Sequence, residues 1–135
     1  MKKITYILIA VLATTTAAVA IDTPVSQLTF STNSNNEIVI TSLTPEARAS
    51  IRDLRIPSQI NGLAVTTIGN GAFLLSSITN AILPASVTTI EHSAFHASRL
   101  QTIEMPGVQT IVSWAFDSCR SLTSINLPDS IQTIN

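Results

Sequence analysis

The tetrad Val65-Thr66-Thr67-Ile68 returns as Val87-Thr88-Thr89-Ile90, Val108-Gln109-Thr110-Ile111 and Ile131-Gln132-Thr133-Ile134, at offsets of 22, 21 and 23 residues. Five residues past the tetrad's isoleucine stands a phenylalanine behind an alanine: Ala72-Phe73, Ala94-Phe95, Ala115-Phe116. Three further on sits a small side chain, Ser76, Ser98 or Cys119. Then Ile78, Leu100 or Leu122 opens a segment that closes on Leu83-Pro84, Met105-Pro106 or Leu127-Pro128. An earlier copy of that closing segment runs through Ile51, Leu54, Ile56 and Pro57, and a five-residue insertion holding the turn pair Asn61-Gly62 separates it from the first tetrad. The common frame is LxxIxLPxxVxTIxxxAFxxCxxL, with single-residue slips at Gly107 and between Phe95 and Leu100.

A self-similar frame of this length dictates how the chain must bury its apolar atoms. One copy has too few aliphatic side chains to close a core, so successive copies have to stack and share one. A period of about 22 residues falls within the range of leucine-rich repeats. The expected fold is therefore a leucine-rich repeat solenoid, β-rich, with short parallel strands stacked coil on coil and short helical or irregular turns between them. In Leu100-Gln101-Thr102-Ile103-Glu104-Met105, strand alternation sends Ile103 and Met105 inward and Thr102 and Glu104 outward. Pro106 ends the pairing, having no N–H to donate. The tetrad is a second extended run with Val87 and Ile90 inward, and Phe73, Phe95 and Phe116 become the large fillers between layers.

The flanks follow other rules. Leu28-Thr29-Phe30 and Ile38-Val39-Ile40 surround a polar, Asn-rich turn, which predicts an N-terminal β-hairpin cap over the first coil, where an uncovered strand edge invites aggregation. Pro45-Glu46-Ala47-Arg48-Ala49 behind Thr44 is expected to form a helical turn with a threonine N-cap. Met1 to Ala20 has a basic pair (Lys2, Lys3), an apolar run from Ile4 to Leu12 and an Ala18-Val19-Ala20 ending, the layout of a secretory signal peptide. Its apolar run is shorter than the roughly 20 residues a spanning helix needs, so the product is expected outside the cell without stable membrane insertion. The expected division is a leader over 1–20, a capping segment over 21–50 and repeats over 51–135, about four coils with the last one incomplete. That last edge, Ile131 to Asn135, has no visible cap, so the chain is expected to be either a truncated member of a longer array or a solenoid whose open end associates with another chain.

Charge and cysteine content narrow the function. Lys2 and Lys3 are the only lysines, so beyond the leader five arginines face eight carboxylates, a balance that disfavours nucleic acid as a partner. Cys119 is alone, so no intramolecular disulfide forms and packing must hold the fold. Its place in a ladder with Ser76 and Ser98 explains it as a small, partly buried side chain, without reactive chemistry. His92 and His96, four apart, could face one way as metal ligands, but their counterparts are Asn70 and Ser113, and Leu74 and Asp117. That variation suits exposed, replaceable positions, and no metal or other cofactor is expected. Glu91-His92-Ser93 contains triad residue types, yet neighbours in sequence do not converge as a triad does. No Gly-rich phosphate loop occurs, and an enzymatic role is not expected. Trp114, at the site held by Gly71 and Ser93, is either a binding anchor or a ring packed over the neighbouring coil, with packing the preferred reading.

Outward positions of the closing segments form two ladders: Asp53, Asn80, Thr102, Ser124 and Arg55, Ile82, Glu104, Asn126. They are small, polar and mixed in charge, which suits a protein-binding face. The stretches Ile56-Pro57-Ser58-Gln59-Ile60-Asn61-Gly62-Leu63-Ala64-Val65-Thr66-Thr67-Ile68-Gly69 and Leu122-Thr123-Ser124-Ile125-Asn126-Leu127-Pro128 resemble the BspA-type leucine-rich repeats of bacterial surface proteins. The resemblance spans roughly Phe30 to Asn135. It implies a secreted or cell-surface protein that attaches to an extracellular or cell-surface protein partner. The asparagine ladder of the commoner leucine-rich class is replaced here by Pro84, Pro106 and Pro128, so its horseshoe curvature does not carry over. The functional expectation is a non-catalytic adhesion or protein-binding module, with an end-to-end stacking element as the second reading.

Overall fold

The computed structural model describes residues 21–135, so the leader expected over 1–20 lies outside the described residues. Among the described residues, ten short strands and one short α-helix form a β-solenoid of about four turns. The tetrads make one sheet. Strands β1 (Leu28–Thr32) and β2 (Ile38–Leu43) form an antiparallel hairpin, and β2 pairs in parallel with β5 (Leu63–Ile68). From there β7 (Thr89–Ile90), β9 (Thr110–Ile111) and β10 (Thr133–Ile134) continue in parallel, with Ile68, Ile90, Ile111 and Ile134 in register. The closing segments make the second sheet, β3 (Asp53–Arg55), β6 (Asn80–Ile82) and β8 (Thr102–Glu104), again parallel. The insertion folds as a tight hairpin of β4 (Gln59–Ile60) on β5, turned by Asn61 at φ 52° and Gly62 at φ 79°, the paired positive values a two-residue hairpin requires.

The core is the one the frame predicts. Val65, Ile68, Val87, Ile90, Val108 and Ile111 are buried under the tetrad sheet, and Leu54, Ala81, Ile103 and Met105 under the other. Phe73, Phe95 and Phe116 line up between the sheets, with ring centroids 5.1 Å and then 5.6 Å apart. Cys119 is buried beside Ser98, its sulfur 3.3 Å from the Ser98 Oγ and donating to the Phe95 carbonyl at 3.0 Å.

The AF turns, expected as helical or irregular, are more regular than that. Their amides alternate between two acceptors. Ala72, Leu74 and Ser76 donate three residues back within the coil, while Gly71, Phe73 and Leu75 donate to His92, Ala94 and His96 of the next coil. The pattern repeats one coil on, where Ser93, Phe95 and Ala97 donate to Ser113, Ala115 and Asp117. Swinging every second amide along the axis takes a left-handed residue at each end of the turn: Gly71 (φ 61°) and Leu75 (55°), Ser93 (54°) and Ala97 (53°), Trp114 (64°) and Ser118 (56°). The turns are thus a third intercoil ladder, invisible in a pattern of side chains.

Two further differences from expectation have physical causes. The closing segment Leu122 to Leu127 is not a strand and pairs with nothing. Ile125 and Leu127 are 36% and 47% exposed, and among the described residues no AF turn follows to fill the space beneath them. At the other end, helix α1 (Pro45–Ser50) carries the expected cap, with Thr44 Oγ1 accepting from Ala47 N at 3.4 Å. It also aims Arg48 at the first AF turn, where the guanidinium donates to the Leu74 carbonyl at 2.7 Å and the Ala72 carbonyl at 3.4 Å. Those are two of the three carbonyls, with that of Asn70, that the turn ladder leaves without an amide partner among the described residues.

Candidate functional site

The second sheet places the two outward ladders as strand geometry requires over its three strands. Asp53, Asn80 and Thr102 stand in register, as do Arg55, Ile82 and Glu104. The first ladder is hydrogen-bonded from end to end: the Thr102 hydroxyl donates to Asn80 Oδ1 at 2.8 Å, and the Asn80 amide donates to Asp53 Oδ1 at 2.6 Å. Each donor points toward Asp53, so the row offers acceptor capacity at both ends and its side chains are held against rotation. In the second ladder Arg55 and Glu104 flank Ile82. Two strand spacings, roughly 9 to 10 Å between backbones, keep the opposite charges from pairing, and neither makes an ion pair among the described residues.

Two depressions lie on this face. One, of about 330 Å³, is lined by Asp53, Leu54, Arg55, Asn80 and Ile82 together with Ile21. The second, also about 330 Å³, lies between β8, at Ile103 to Met105, and the unpaired stretch Asn126 to Pro128. Six of the eight expected residues therefore sit on one ordered sheet. Ser124 is not brought to it, and Asn126 reaches only the rim of the second depression. Ile21 was not legible as part of the site. It comes near because Thr23 is tied to β3: its amide donates to the Arg55 carbonyl at 2.8 Å and its hydroxyl oxygen accepts from the Arg55 amide at 3.0 Å.

Elsewhere the chemistry is sparse. Among the described residues no three His, Cys, Asp or Glu side chains come together as metal ligands. His92 and His96 do lie on one face, under the indole of Trp114, with centroids 5.8 Å and 6.5 Å from it. Trp114 thus packs on the preceding coil, the preferred of the two readings, and is also 65% exposed. His96 Nδ1 is 3.1 Å from Asp117 Oδ2 but off the angle a hydrogen bond needs, so the contact is a charge interaction available only to the protonated ring. Among the described residues no helix is long and apolar enough to cross a membrane.

The comparisons with known proteins agree with this architecture. The family described as BspA type leucine rich repeat region matches residues 66–135. No curated protein matches the chain. Among solved structures, the leucine-rich repeat protein of Treponema pallidum is 31% identical, with a TM-score of 0.76 over 82% of this chain and 52% of its own. A leucine-rich repeat protein from Bacteroides capillosus is 28% identical, with a TM-score of 0.76 over 84% of this chain and 86% of its own. A leucine rich cell surface protein from Faecalibacterium prausnitzii is 25% identical, with a TM-score of 0.64 over 78% of this chain and 30% of its own. The fold and its repeats define a leucine-rich repeat solenoid. Within that class, the chain belongs to the BspA-type leucine-rich repeat family. It spans about half the length of the T. pallidum protein.

Proposed function

We propose that this is a non-catalytic, extracellular binding module that presents the β3-β6-β8 face to a protein at a cell surface or in the surrounding matrix. The observation that carries the reading is the ordered strand face itself. Asp53, Asn80 and Thr102 are locked in one hydrogen-bonded row, and beside it an apolar centre at Ile82 lies between Arg55 and Glu104. An apolar centre with a charged rim is how protein interfaces combine affinity with selectivity. The face costs little to order on binding, because its polar row is already immobilised. Ser124 and Asn126 extend the same ladders in sequence, and a partner that draws Leu122 to Leu127 onto β8 would recruit them.

The test is binding of the chain to purified extracellular matrix and cell-surface proteins by biolayer interferometry. Arg55→Ala and Glu104→Ala are each expected to weaken the captured partner's binding by about tenfold, about 1.4 kcal/mol. Unchanged affinity in both variants would remove this face from the reading. A second reading, end-to-end stacking of chains, draws support from the exposed Ile125 and Leu127 near the unpaired edge of β8 and from the exposed Ile134 on β10, the last strand of the tetrad sheet. Sedimentation that stays monomeric at all concentrations counts against it.

A further inference from the structure

Away from the strand face, two arginines share a cavity. Arg99 and Arg120 each follow directly on a buried small-ladder residue, Ser98 and Cys119, so they occupy equivalent positions on adjacent coils. Both are exposed, and both line one depression of about 390 Å³, together with the hydroxyl-bearing Ser118 and Ser121. Adjacent coils lie about 5 Å apart, so like charges at equivalent positions repel. Neither guanidinium has an ion-pair partner among the described residues, although carboxylates outnumber arginines. By contrast, Arg48 and Arg52 direct their guanidiniums onto backbone carbonyls. Two uncompensated guanidiniums over a cavity that also holds the Ser121 hydroxyl form a receptor for an oxyanion, which accepts from several N–H and O–H donors at once.

An aromatic surface lies near the cavity, linked to it through Asp117. Ser118 Oγ donates to Asp117 Oδ2 at 3.0 Å, Asp117 contacts His96, and Trp114 lies over His96 with its opposite face open. Trp114 also sits at φ 64° in a position where its counterpart in the first turn is glycine. Packing does not require so large a side chain there, since Gly71 and Ser93 build the same turn. A strained, exposed indole near a basic cavity fits a ligand with a flat apolar ring face and an acidic substituent. We propose that this turn surface of the second and third coils binds an acidic oligosaccharide, its sulfate or carboxylate held by Arg99 and Arg120 and a neighbouring sugar ring resting on Trp114. The site is separate from the strand face, so either can fail alone.

Titration calorimetry of the chain tests it with four probes: a heparin-derived tetrasaccharide, a galacturonic acid tetramer, neutral maltotetraose and hexaglutamate. One or both acidic sugars are expected to bind, more weakly as salt rises, and maltotetraose and hexaglutamate are not. Preference for the sulfated or the carboxylated sugar identifies the anion. Arg99→Gln and Arg120→Gln should each lower affinity at least about tenfold, and Trp114→Gly, which suits the local backbone, should lower it severalfold. Arg55→Ala should leave it unchanged. Circular dichroism melting confirms that each variant is folded. Equal binding of hexaglutamate would reassign the site to acidic protein segments and overturn the sugar. No binding of either acidic sugar, or binding insensitive to both arginines, would overturn the site.

Discussion

The two ends of the solenoid solve one problem unequally. Stacking coils through the AF turns leaves carbonyls unpaired at one end of the ladder and amides at the other. At the first coil, Arg48 reaches from α1 and supplies charged donors to Ala72 and Leu74. At the third, the amides of Trp114, Phe116 and Ser118 have no backbone partner among the described residues. The same asymmetry runs through the sheets. Near the start, the hairpin β1-β2 extends the tetrad sheet and Thr23 binds the edge of β3. Near the other end, the tetrad sheet continues to β10 but the second sheet stops at β8, leaving Leu122 to Leu127 unpaired. A repeat propagates only while a neighbour fills both its hydrogen bonds and its cavity, and the tetrad, tied by two Gln109 carbonyl contacts from Gln132 and Thr133, needs less of the second.

That contrast can be broken in four ways. Phe95→Ala empties the middle of the aromatic row and should cost about 3 to 5 kcal/mol in denaturant unfolding, whereas Phe116→Ala, at the half-buried end, should cost less than about 2. Equal costs would mean that the end coil is as well packed as the middle. Arg48→Met should lose about 2 to 3 kcal/mol, since it strips charged hydrogen bonds from the turn carbonyls. A loss under about 0.5 kcal/mol would mean that water serves those groups equally well.

Gly107→Ala should cost roughly 1 to 3 kcal/mol by overpacking, because a Cβ there would run into the backbone carbonyl of Ala85. Thermal melting checks it, and a neutral result would show that the third coil yields where the first two cannot. The smallest effect is expected from Ser93→Gly, which relieves a left-handed serine and should stabilise by up to about 1 kcal/mol. A clear loss would mean that the Ser93 side chain holds something the backbone alone does not. Amide exchange gives a sharper view of the same contrast. In a parallel ladder successive amides face opposite edges, so Ile103, facing the open edge of β8, should exchange faster than Val112, which donates to Ile90.

Much of this was legible in the order of residues. The inward positions of Val87, Ile90, Ile103 and Met105, the row of Phe73, Phe95 and Phe116, the buried place of Cys119 and the helical turn behind Thr44 all follow from periodicity and local chemistry. So did the register of Asp53, Asn80 and Thr102, because equivalent residues of equivalent coils must stand side by side. The slip at Gly107 was visible as a missing residue, but its cause was not, since only the approach of Ala85 shows that no side chain fits.

What the sequence alone determined is the coil: its period, its inward set and the identity of the stacked rows, all of which come from which side chains must leave water. What only the tertiary structure decided is how the coils are joined and closed. The alternating amides of the AF turns, the guanidinium of Arg48 over two carbonyls and the pairing of Arg99 with Arg120 on one cavity depend on where backbone groups and charges from different coils meet. Burial is written residue by residue along a chain, whereas unpaired donors, acceptors and charges exist only relative to a neighbour in space.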